Sequence, residues 1–358
     1  MIRKLALNSV FVFSFLFVVS AEAVFKIPLI LGHRGACGHR PEHTLASYKL
    51  AIEMGADYVE PDLVMTKDKV LMARHENEIS GTTDVATKFP DRKTTKSVDG
   101  KSITGWFIED FTLAEVKTLR AKERLEFRDH SFDGQFEVPT FSEVLDLVKK
   151  QSIERKRTIG VYPEAKHPTF FTSVGLPLEK AIVDELKKHG LNKKGAAVFI
   201  QSFELGALEK FKKLTTLPLI FLIDDPELIP FDYQVAGKTT TYKELLEPKH
   251  LKEISKIAKG IGPYKRYIIP VNEKGERLAP TSLVADAHAV GLLVHPYTFR
   301  SEDSYLLKEY KNDVQAEYLE YFKLGVDGVF TDFADHAVKA KQTYLKEIGS
   351  ARKPKENK

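Results

Sequence analysis

The chain has very little cysteine: Cys37 is its only thiol among 358 residues. One thiol cannot form an internal disulfide, so the fold must depend on its apolar core. The sequence also lacks a P-loop, a glycine-rich dinucleotide fingerprint, an internal repeat and a low-complexity tract. It has no long basic run with interleaved aromatic residues, and its formal net charge is only +4. We therefore expect no nucleic-acid partner.

Long hydrophobic runs are missing except near the N-terminus. There, Arg3 and Lys4 precede an apolar segment over residues 5–19, and a small-x-small tripeptide ends at Ala23. This pattern predicts a signal peptide over residues 1–23 and an exported protein, either periplasmic or secreted. A membrane anchor is the alternative, but the run is shorter than the roughly 20 residues that a spanning helix needs. We therefore expect no stable membrane insertion.

Short apolar runs alternate with helical patterns along the rest of the chain. About eight strand–helix units can be counted, with polar residues gathered after the strands, so the sequence predicts an α/β fold of the TIM (β/α)8 barrel type over residues 24–348. The helical period is lost over residues 76–138, which predicts a small inserted subdomain after the second strand that caps the barrel mouth. Residues 224–250 are predicted to form a long loop at the rim, and residues 349–358 a charged tail.

Two strand ends carry the residues on which a functional hypothesis can be based. One apolar run ends in His33 and Arg34, and the next predicted strand carries Glu60 and Asp62. Side chains two apart in a strand point to the same side, and a carboxylate pair at a strand end suits a hard divalent cation. A hydrated surface pair is the alternative, but this pair lies in a mostly apolar run, where an uncompensated charge is costly to bury.

The same residues belong to a wider set of short motifs. Together these motifs resemble those of glycerophosphodiester phosphodiesterases, most closely the bacterial periplasmic type, over nearly the whole chain after residue 23. The motifs are His33-Arg34-Gly35, Pro41-Glu42-His43-Thr44, Gly55-Ala56-Asp57, Glu60-Pro61-Asp62, Ala73-Arg74-His75, Gly160-Val161-Tyr162-Pro163-Glu164-Ala165-Lys166, Gln201-Ser202-Phe203, Gly260-Ile261-Gly262-Pro263, Val294-His295-Pro296-Tyr297-Thr298 and Phe330-Thr331-Asp332-Phe333.

The resemblance implies metal-dependent hydrolysis of glycerophosphodiesters, such as glycerophosphocholine and glycerophosphoethanolamine, to sn-glycerol 3-phosphate and an alcohol. A phosphodiester is anionic, so its hydrolysis requires cations, a base for the nucleophile and an acid for the leaving alkoxide. One divalent cation, Ca²⁺ or Mg²⁺, would supply part of the positive charge. The predicted metal ligands are Glu60, Asp62 and Glu164, and the predicted catalytic pair is His33 and His75. The predicted substrate-binding residues are Arg34, Lys166, Gln201, Phe203, His295 and Tyr297.

The resemblance also implies a route for the reaction. The hydroxyl next to the phosphorylated carbon of glycerol would attack phosphorus, with one histidine as the base and the other protonating the leaving alcohol. Water would then open the cyclic phosphate. Which histidine plays which role stays open, as does the choice between a monomer and a homodimer. His39 and His43 are interpreted as supports of the first loop, and Cys37 as a bystander.

Two other functions are open at this point. One is a related barrel enzyme of the phospholipase D type that acts on sphingomyelin or lysophospholipids, for which an exposed apolar rim loop would argue. Such enzymes usually carry disulfides. The other is a surface binding protein that kept the barrel and lost catalysis, although every expected catalytic position is occupied in this sequence.

Overall fold

The computed structural model describes residues 27–351. The predicted signal peptide over residues 1–23 and most of the predicted charged tail lie outside the described residues. The strands are β1 (Leu29–His33), β2 (Tyr58–Glu60), β3 (Asp62–Met65), β4 (Leu71–Ala73), β5 (Thr94–Val98), β6 (Lys101–Gly105), β7 (Gly160–Val161), β8 (Glu164–Ala165), β9 (Ile200–Ser202), β10 (Leu219–Ile223), β11 (Gly260–Pro263), β12 (Leu293–Val294) and β13 (Gly328–Thr331).

Helices follow most of the parallel strands. They are α1 (Leu45–Met54), α2 (Val85–Lys88), α3 (Leu113–Val116), α4 (Phe141–Glu154), α5 (Pro168–Ser173), α6 (Leu178–Lys188), α7 (Leu205–Leu214), α8 (Phe231–Val235), α9 (Tyr242–Leu245), α10 (Pro248–Ile254), α11 (Leu283–Ala289), α12 (Val314–Lys323) and α13 (Ala334–Ala351). Short 3₁₀ helices occupy Pro90–Arg92, Ile108–Asp110, Lys265–Tyr267 and Lys308–Tyr310.

The parallel strands close into a barrel, which confirms the predicted fold class. Its eight strand positions, called staves 1 to 8 here, are β1, β2 with β3, β7 with β8, β9, β10, β11, β12 and β13 in that order. A bridge between Val161 and Val198 joins staves 3 and 4. The Asp327 amide donates to the Val294 carbonyl at 2.9 Å beside staves 7 and 8. The carboxyl ends of all eight staves therefore meet at one mouth.

Staves 2 and 3 are each interrupted by a proline. The sequence predicts one strand that carries both Glu60 and Asp62, but the structure divides it at Pro61. β2 pairs with β1 and β7, whereas β3 pairs with β8 and, in antiparallel register, with β4. Pro163 separates β7 from β8 in the same way. Proline has no amide hydrogen to donate to a strand ladder, so the pairing stops on one side and resumes on another.

The segment over residues 76–138 is folded and packs on the barrel. Its β5–β6 hairpin and its short helices surround side chains that belong to the main apolar core, with Phe107 and Phe111 fully buried. The segment reaches the mouth through Arg128, whose Nη2 donates to Asp332 at 2.6 Å. The described residues that line the central cavity come from other segments, so the insertion lies beside the cavity.

The prediction of a long loop over residues 224–250 is wrong, because α8, α9 and the start of α10 lie within it. A capping box marks the beginning of α9, since the Thr241 side chain and the Glu244 side chain exchange hydrogen bonds with each other's backbone. Such local caps stabilise helices that are too short to show a hydrophobic period in the sequence.

Candidate active site

A cavity of about 350 Å³ opens at the carboxyl ends of the staves. This is where the loops after parallel barrel strands place functional side chains. The predicted site residues among its lining are His33, Arg34, Glu60, Asp62, His75, Glu164, Gln201, Phe203 and Tyr297.

Three carboxylates form a buried cluster on one side of the cavity. Glu60, Asp62 and Glu164 come from staves 2 and 3, are each at most 5% exposed, and have oxygens within 4.8 Å of one another. Burial and repulsion from Asp62 raise the pKa values of Glu60 and Glu164 well above the usual value for a glutamate. The structure thus brings together the three predicted metal ligands, in a place where the negative charges of Glu60 and Glu164 are poorly compensated, whereas His43 lowers the pKa of Asp62.

The surroundings of this cluster fit a divalent cation. The Arg34 amide donates to Glu60 Oε2 at 2.9 Å, and Gln201 Nε2 donates to Glu60 Oε1 at 3.0 Å. Gln201 Oε1 is buried and has no hydrogen-bond partner among the described residues, so a further oxygen beside the carboxylates is unsatisfied. His43 Nε2 lies 2.9 Å from Asp62 Oδ2 and orients that carboxylate, which gives this histidine a supporting position. An all-oxygen set of this kind suits Mg²⁺ or Ca²⁺.

His33 is held at the end of β1 by a carboxylate. Its Nδ1 lies 2.6 Å from Asp332 Oδ1, which leaves Nε2 for the cavity. Burial and the neighbouring Arg34 lower the pKa of His33 to about 4, so the ring is neutral near pH 7. Asp332 is itself fixed by two guanidinium groups, because its Oδ2 accepts from Arg128 Nη2 at 2.6 Å and from Arg300 Nε at 3.0 Å.

His75 has a similar arrangement at the end of the β3–β4 hairpin. Its Nδ1 lies 2.9 Å from Glu76 Oε1. Burial, together with Arg34 and Lys166, lowers the pKa of His75 to about 3. Both predicted catalytic histidines therefore line one cavity, and each has Nδ1 bound to a carboxylate. This is the geometry that fixes a tautomer and presents Nε2 for proton transfer.

Two of the predicted substrate-binding residues, Arg34 and Lys166, are cations, and they differ in position. Arg34 lines the cavity, and its Nη1 is paired with Glu42 Oε2 at 3.0 Å. Lys166 is 6% exposed and is not among the residues that line the cavity. Its Nζ lies 3.2 Å from Glu164 Oε1, so Lys166 forms an ion pair with the carboxylate cluster. Its proximity to Glu164 and Glu76 outweighs burial and raises the pKa of Lys166.

The prediction that His295 contacts the substrate is corrected by the structure. His295 is fully buried and does not line the cavity, and its Nδ1 is hydrogen-bonded to the Tyr162 hydroxyl at 2.9 Å. Tyr297 does line the cavity, with its ring 6.0 Å from that of Phe203. Residues two apart on a barrel strand face the same interior but lie in successive layers, so His295 belongs to the layer below the site.

Several residues around the cavity were not singled out as site residues from the sequence. Asp332, Glu76 and a group of cations from staves 6 and 7, Lys265, Arg266 and Arg300, were missed. A signal for Asp332 existed, since it directly follows the last strand.

Cys37 is buried, and burial with the nearby Asp332 raises the pKa of its thiol well above the usual value, which is consistent with a bystander.

Comparison with known proteins gives a consistent result. Residues 33–336 match the model of the glycerophosphoryl diester phosphodiesterase family. The chain is 41% identical over 324 residues to glycerophosphodiester phosphodiesterase GDPD6 of Arabidopsis thaliana, covering 86% of this chain and 84% of the relative. It is 32% identical over 332 residues to a glycerophosphodiester phosphodiesterase of Haemophilus influenzae, covering 87% and 88%.

A solved structure shares the fold. It is a phosphodiesterase of Oleispira antarctica in complex with the product sn-glycerol-3-phosphate, with a TM-score of 0.56 and 20% identity over 88% of this chain and 97% of that chain. Within residues 27–351, none of the helices combines the length and the apolar character that a membrane span requires.

Proposed function

This chain belongs to the glycerophosphoryl diester phosphodiesterase family, and we propose that it hydrolyses glycerophosphodiesters to sn-glycerol 3-phosphate and an alcohol. The observation that carries the proposal is the position of His33 and His75 on the cavity that also contains Glu60, Asp62 and Glu164. Acid, base and oxygen ligands for a cation are thereby present within a single site. The product bound to the Oleispira antarctica phosphodiesterase supports the same assignment.

The three carboxylates would hold one divalent cation, Mg²⁺ or Ca²⁺. When bound, such an ion polarises a phosphoryl oxygen and neutralises the charge that develops in the transition state. Arg34 would bind another phosphoryl oxygen, because its guanidinium lines the cavity beside the cluster. Because both histidines are neutral near pH 7, either can accept the proton of the attacking hydroxyl. The other histidine can donate to the leaving alkoxide only after it has taken up a proton from solvent, and the anionic phosphodiester beside it favours that protonated form.

The charge of the cavity wall opposite the carboxylates favours some leaving alcohols over others. Stave 6 faces stave 2 across an eight-stave barrel, and stave 7 faces stave 3. The loops after staves 6 and 7 contribute Lys265, Arg266 and Arg300 to the cavity lining. The charge of Lys265 is neutralised by Glu317, because Lys265 Nζ donates to Glu317 Oε1. Arg266 Nη2 lies 3.7 Å from the same oxygen, so the charge of Arg266 is only weakly compensated. This wall therefore carries excess positive charge.

Two aromatic rings of the cavity lining, those of Tyr305 and Phe203, lie next to cations. Arg300 stacks over Tyr305 at 4.7 Å, and the Lys166 ammonium lies 5.6 Å from the Phe203 ring centre. A quaternary ammonium would meet like charge on these rings. Among described lining residues, carboxylates come only from staves 2 and 3. We therefore expect a neutral polyol or an anionic alcohol as the leaving group in preference to choline or ethanolamine.

Export is part of the same proposal. It is supported by the basic and then apolar pattern over residues 1–23. Detection of the chain in the periplasmic or culture fraction of the producing cell, with residues 1–23 removed, would support it. Retention of the full-length chain in the cytoplasm would argue against it.

The decisive experiment measures release of sn-glycerol 3-phosphate by the purified protein. The substrates are glycerophosphoglycerol, glycerophosphoinositol, glycerophosphocholine and lysophosphatidylcholine, each with and without a chelator, and with His33→Ala as the inactive variant. We expect activity that is lost with the chelator, restored by Mg²⁺ or Ca²⁺ and absent in the variant. Cleavage of the lysolipid alone, detected as released choline because its glycerol stays acylated, would favour the phospholipase D type of enzyme. Binding of a diester without cleavage would favour the binding protein.

A further inference from the structure

A chain of hydrogen bonds connects the inserted segment to His75. His75 Nδ1 lies 2.9 Å from Glu76 Oε1, and the other oxygen of Glu76 lies 2.9 Å from His167 Nε2. The second ring nitrogen of His167, Nδ1, lies 2.6 Å from Asp99 Oδ2. Asp99 occupies the turn of the β5–β6 hairpin, next to the Val98–Lys101 pair. Residues from three distant parts of the sequence therefore meet behind one predicted catalytic group.

The two carboxylates around His167 determine its protonation state. Both ring nitrogens face a carboxylate oxygen, and only the imidazolium can donate from both. Burial by itself lowers the pKa of His167, but the bonds to Asp99 and Glu76 outweigh it and raise the pKa to about 9. His167 is thus a fixed cation that attracts Glu76.

Glu76 needs this support because solvent can compete for it. Its side chain is 44% exposed, whereas that of His167 is only 14% exposed. A half-exposed glutamate loses rotamer entropy when it is confined to one geometry, so a single bond to His75 would hold it weakly. The second, charge-assisted bond to His167 holds the other oxygen in place.

We propose that Asp99 and His167 are positioning residues for His75, acting through Glu76. They fix the Glu76 carboxylate, which keeps the proton on His75 Nδ1 and presents the unprotonated Nε2 to the cavity. The inserted hairpin then has a catalytic consequence, because its turn supplies the outermost carboxylate. This inference rests on the proposed function only in taking His75 as a proton-transfer group.

A purely structural role is the competing explanation. In that case the Asp99–His167 pair would simply attach the hairpin to the loop after β8, and its loss would lower stability without changing the chemistry. The two explanations differ in what they predict for a folded variant. A positioning role predicts a lower kcat and an altered His75 tautomer in the folded variant, whether or not its thermal stability also falls.

The test compares Asp99→Asn and His167→Ala with a matched control. His130→Ala is the control, because His130 lies in the same insertion and its Nδ1 bonds Asp133 at 2.8 Å on an exposed surface. We expect kcat to fall about 10- to 100-fold in both test variants with KM within about twofold, as for other residues that orient a functional histidine. Added imidazole should restore part of kcat in His167→Ala. His130→Ala should be unchanged.

A second measurement keeps the inference independent of activity. Nitrogen NMR of labelled histidine reports which ring nitrogen of His75 carries the proton, in the wild type and in Asp99→Asn. We expect the Nδ1–H form in the wild type and a mixture in the variant. If the wild-type protein releases no sn-glycerol 3-phosphate, the proposed function fails and this readout alone decides the inference. A folded Asp99→Asn variant with wild-type kcat, or with an unchanged His75 tautomer, would overturn it.

Discussion

A buried ion pair in the cavity wall opposite the carboxylates allows a quantitative prediction. Lys265 Nζ donates to both oxygens of Glu317, at 2.8 and 2.9 Å, and the two residues are 3% and 1% exposed. The pair joins the loop after β11 to α12. Glu317→Gln keeps the shape of the side chain but removes the negative charge, so the ammonium of Lys265 stays buried without a counter-ion.

The expected cost follows from the burial. Removing one partner of a buried ion pair lowers the free energy of unfolding by about 3–5 kcal/mol, because the remaining charge has lost both water and its partner. A whole domain has only about 5–15 kcal/mol of stability, so this variant should be marginal. Burial already lowers the pKa of Lys265, so we expect the deficit to shrink as the pH rises and the amine loses its proton.

The assay is urea denaturation of the wild type and the variants, with the slope of the transition checked for constancy. Glu347→Gln is the matched control, since its pair with Lys323 is 45% and 56% exposed and should contribute less than about 1 kcal/mol. The double variant Lys265→Met with Glu317→Leu removes both charges and should recover most of the loss. A Glu317→Gln variant within 1 kcal/mol of the wild type would refute the reasoning.

Three further outcomes follow from the site. Asp332→Asn should lower kcat about 10³-fold or more, because the amide can favour the wrong tautomer of His33; a fall of less than tenfold in steady-state kinetics would contradict this. The pKa values of His33 and His75 are lowered to about 4 and about 3, so the unfolded chain binds these protons more readily. Their contribution to stability is therefore lost as the pH falls from 6.5 towards 4, whereas Glu60 and Glu164, whose pKa values are raised, act in the opposite sense over the same range. We therefore expect the urea midpoint of the wild type to fall relative to that of His33→Gln as the pH falls, and a constant difference between the two would oppose the prediction. Gly35→Ala should lower stability by about 2–4 kcal/mol, since Gly35 has a φ of 93° and a Cβ there would lie 2.4 Å from Ser47 Oγ; an unchanged melting temperature would argue against it.

The barrel could be predicted because its signals are local. Apolar runs alternate with helical patterns, and polar residues follow the runs, so the fold class and the mouth are evident without long-range information. Glu60 and Asp62 could be paired because strand geometry places residues two apart on the same side. The family motifs then connected them with Glu164, which stave 3 brings to the same cluster.

Other features depend on which chain segments meet when the barrel closes. Nothing near His167 in the sequence indicates that it lies between Glu76 and Asp99, which are 91 and 68 residues away. His295 and Tyr297 look equivalent along their strand, yet only the layering of the closed barrel separates a buried group from one that lines the cavity.

The sequence alone therefore determined the fold class, the strand ends that carry the chemistry and the types of group available there. These properties depend on side-chain period and on residue identity, which are local. The tertiary structure alone decided which carboxylate orients each histidine, which cations form the wall opposite the metal ligands, and how deep each side chain lies. Those properties depend on contacts between staves and loops that are far apart in the chain and become neighbours only when the barrel closes.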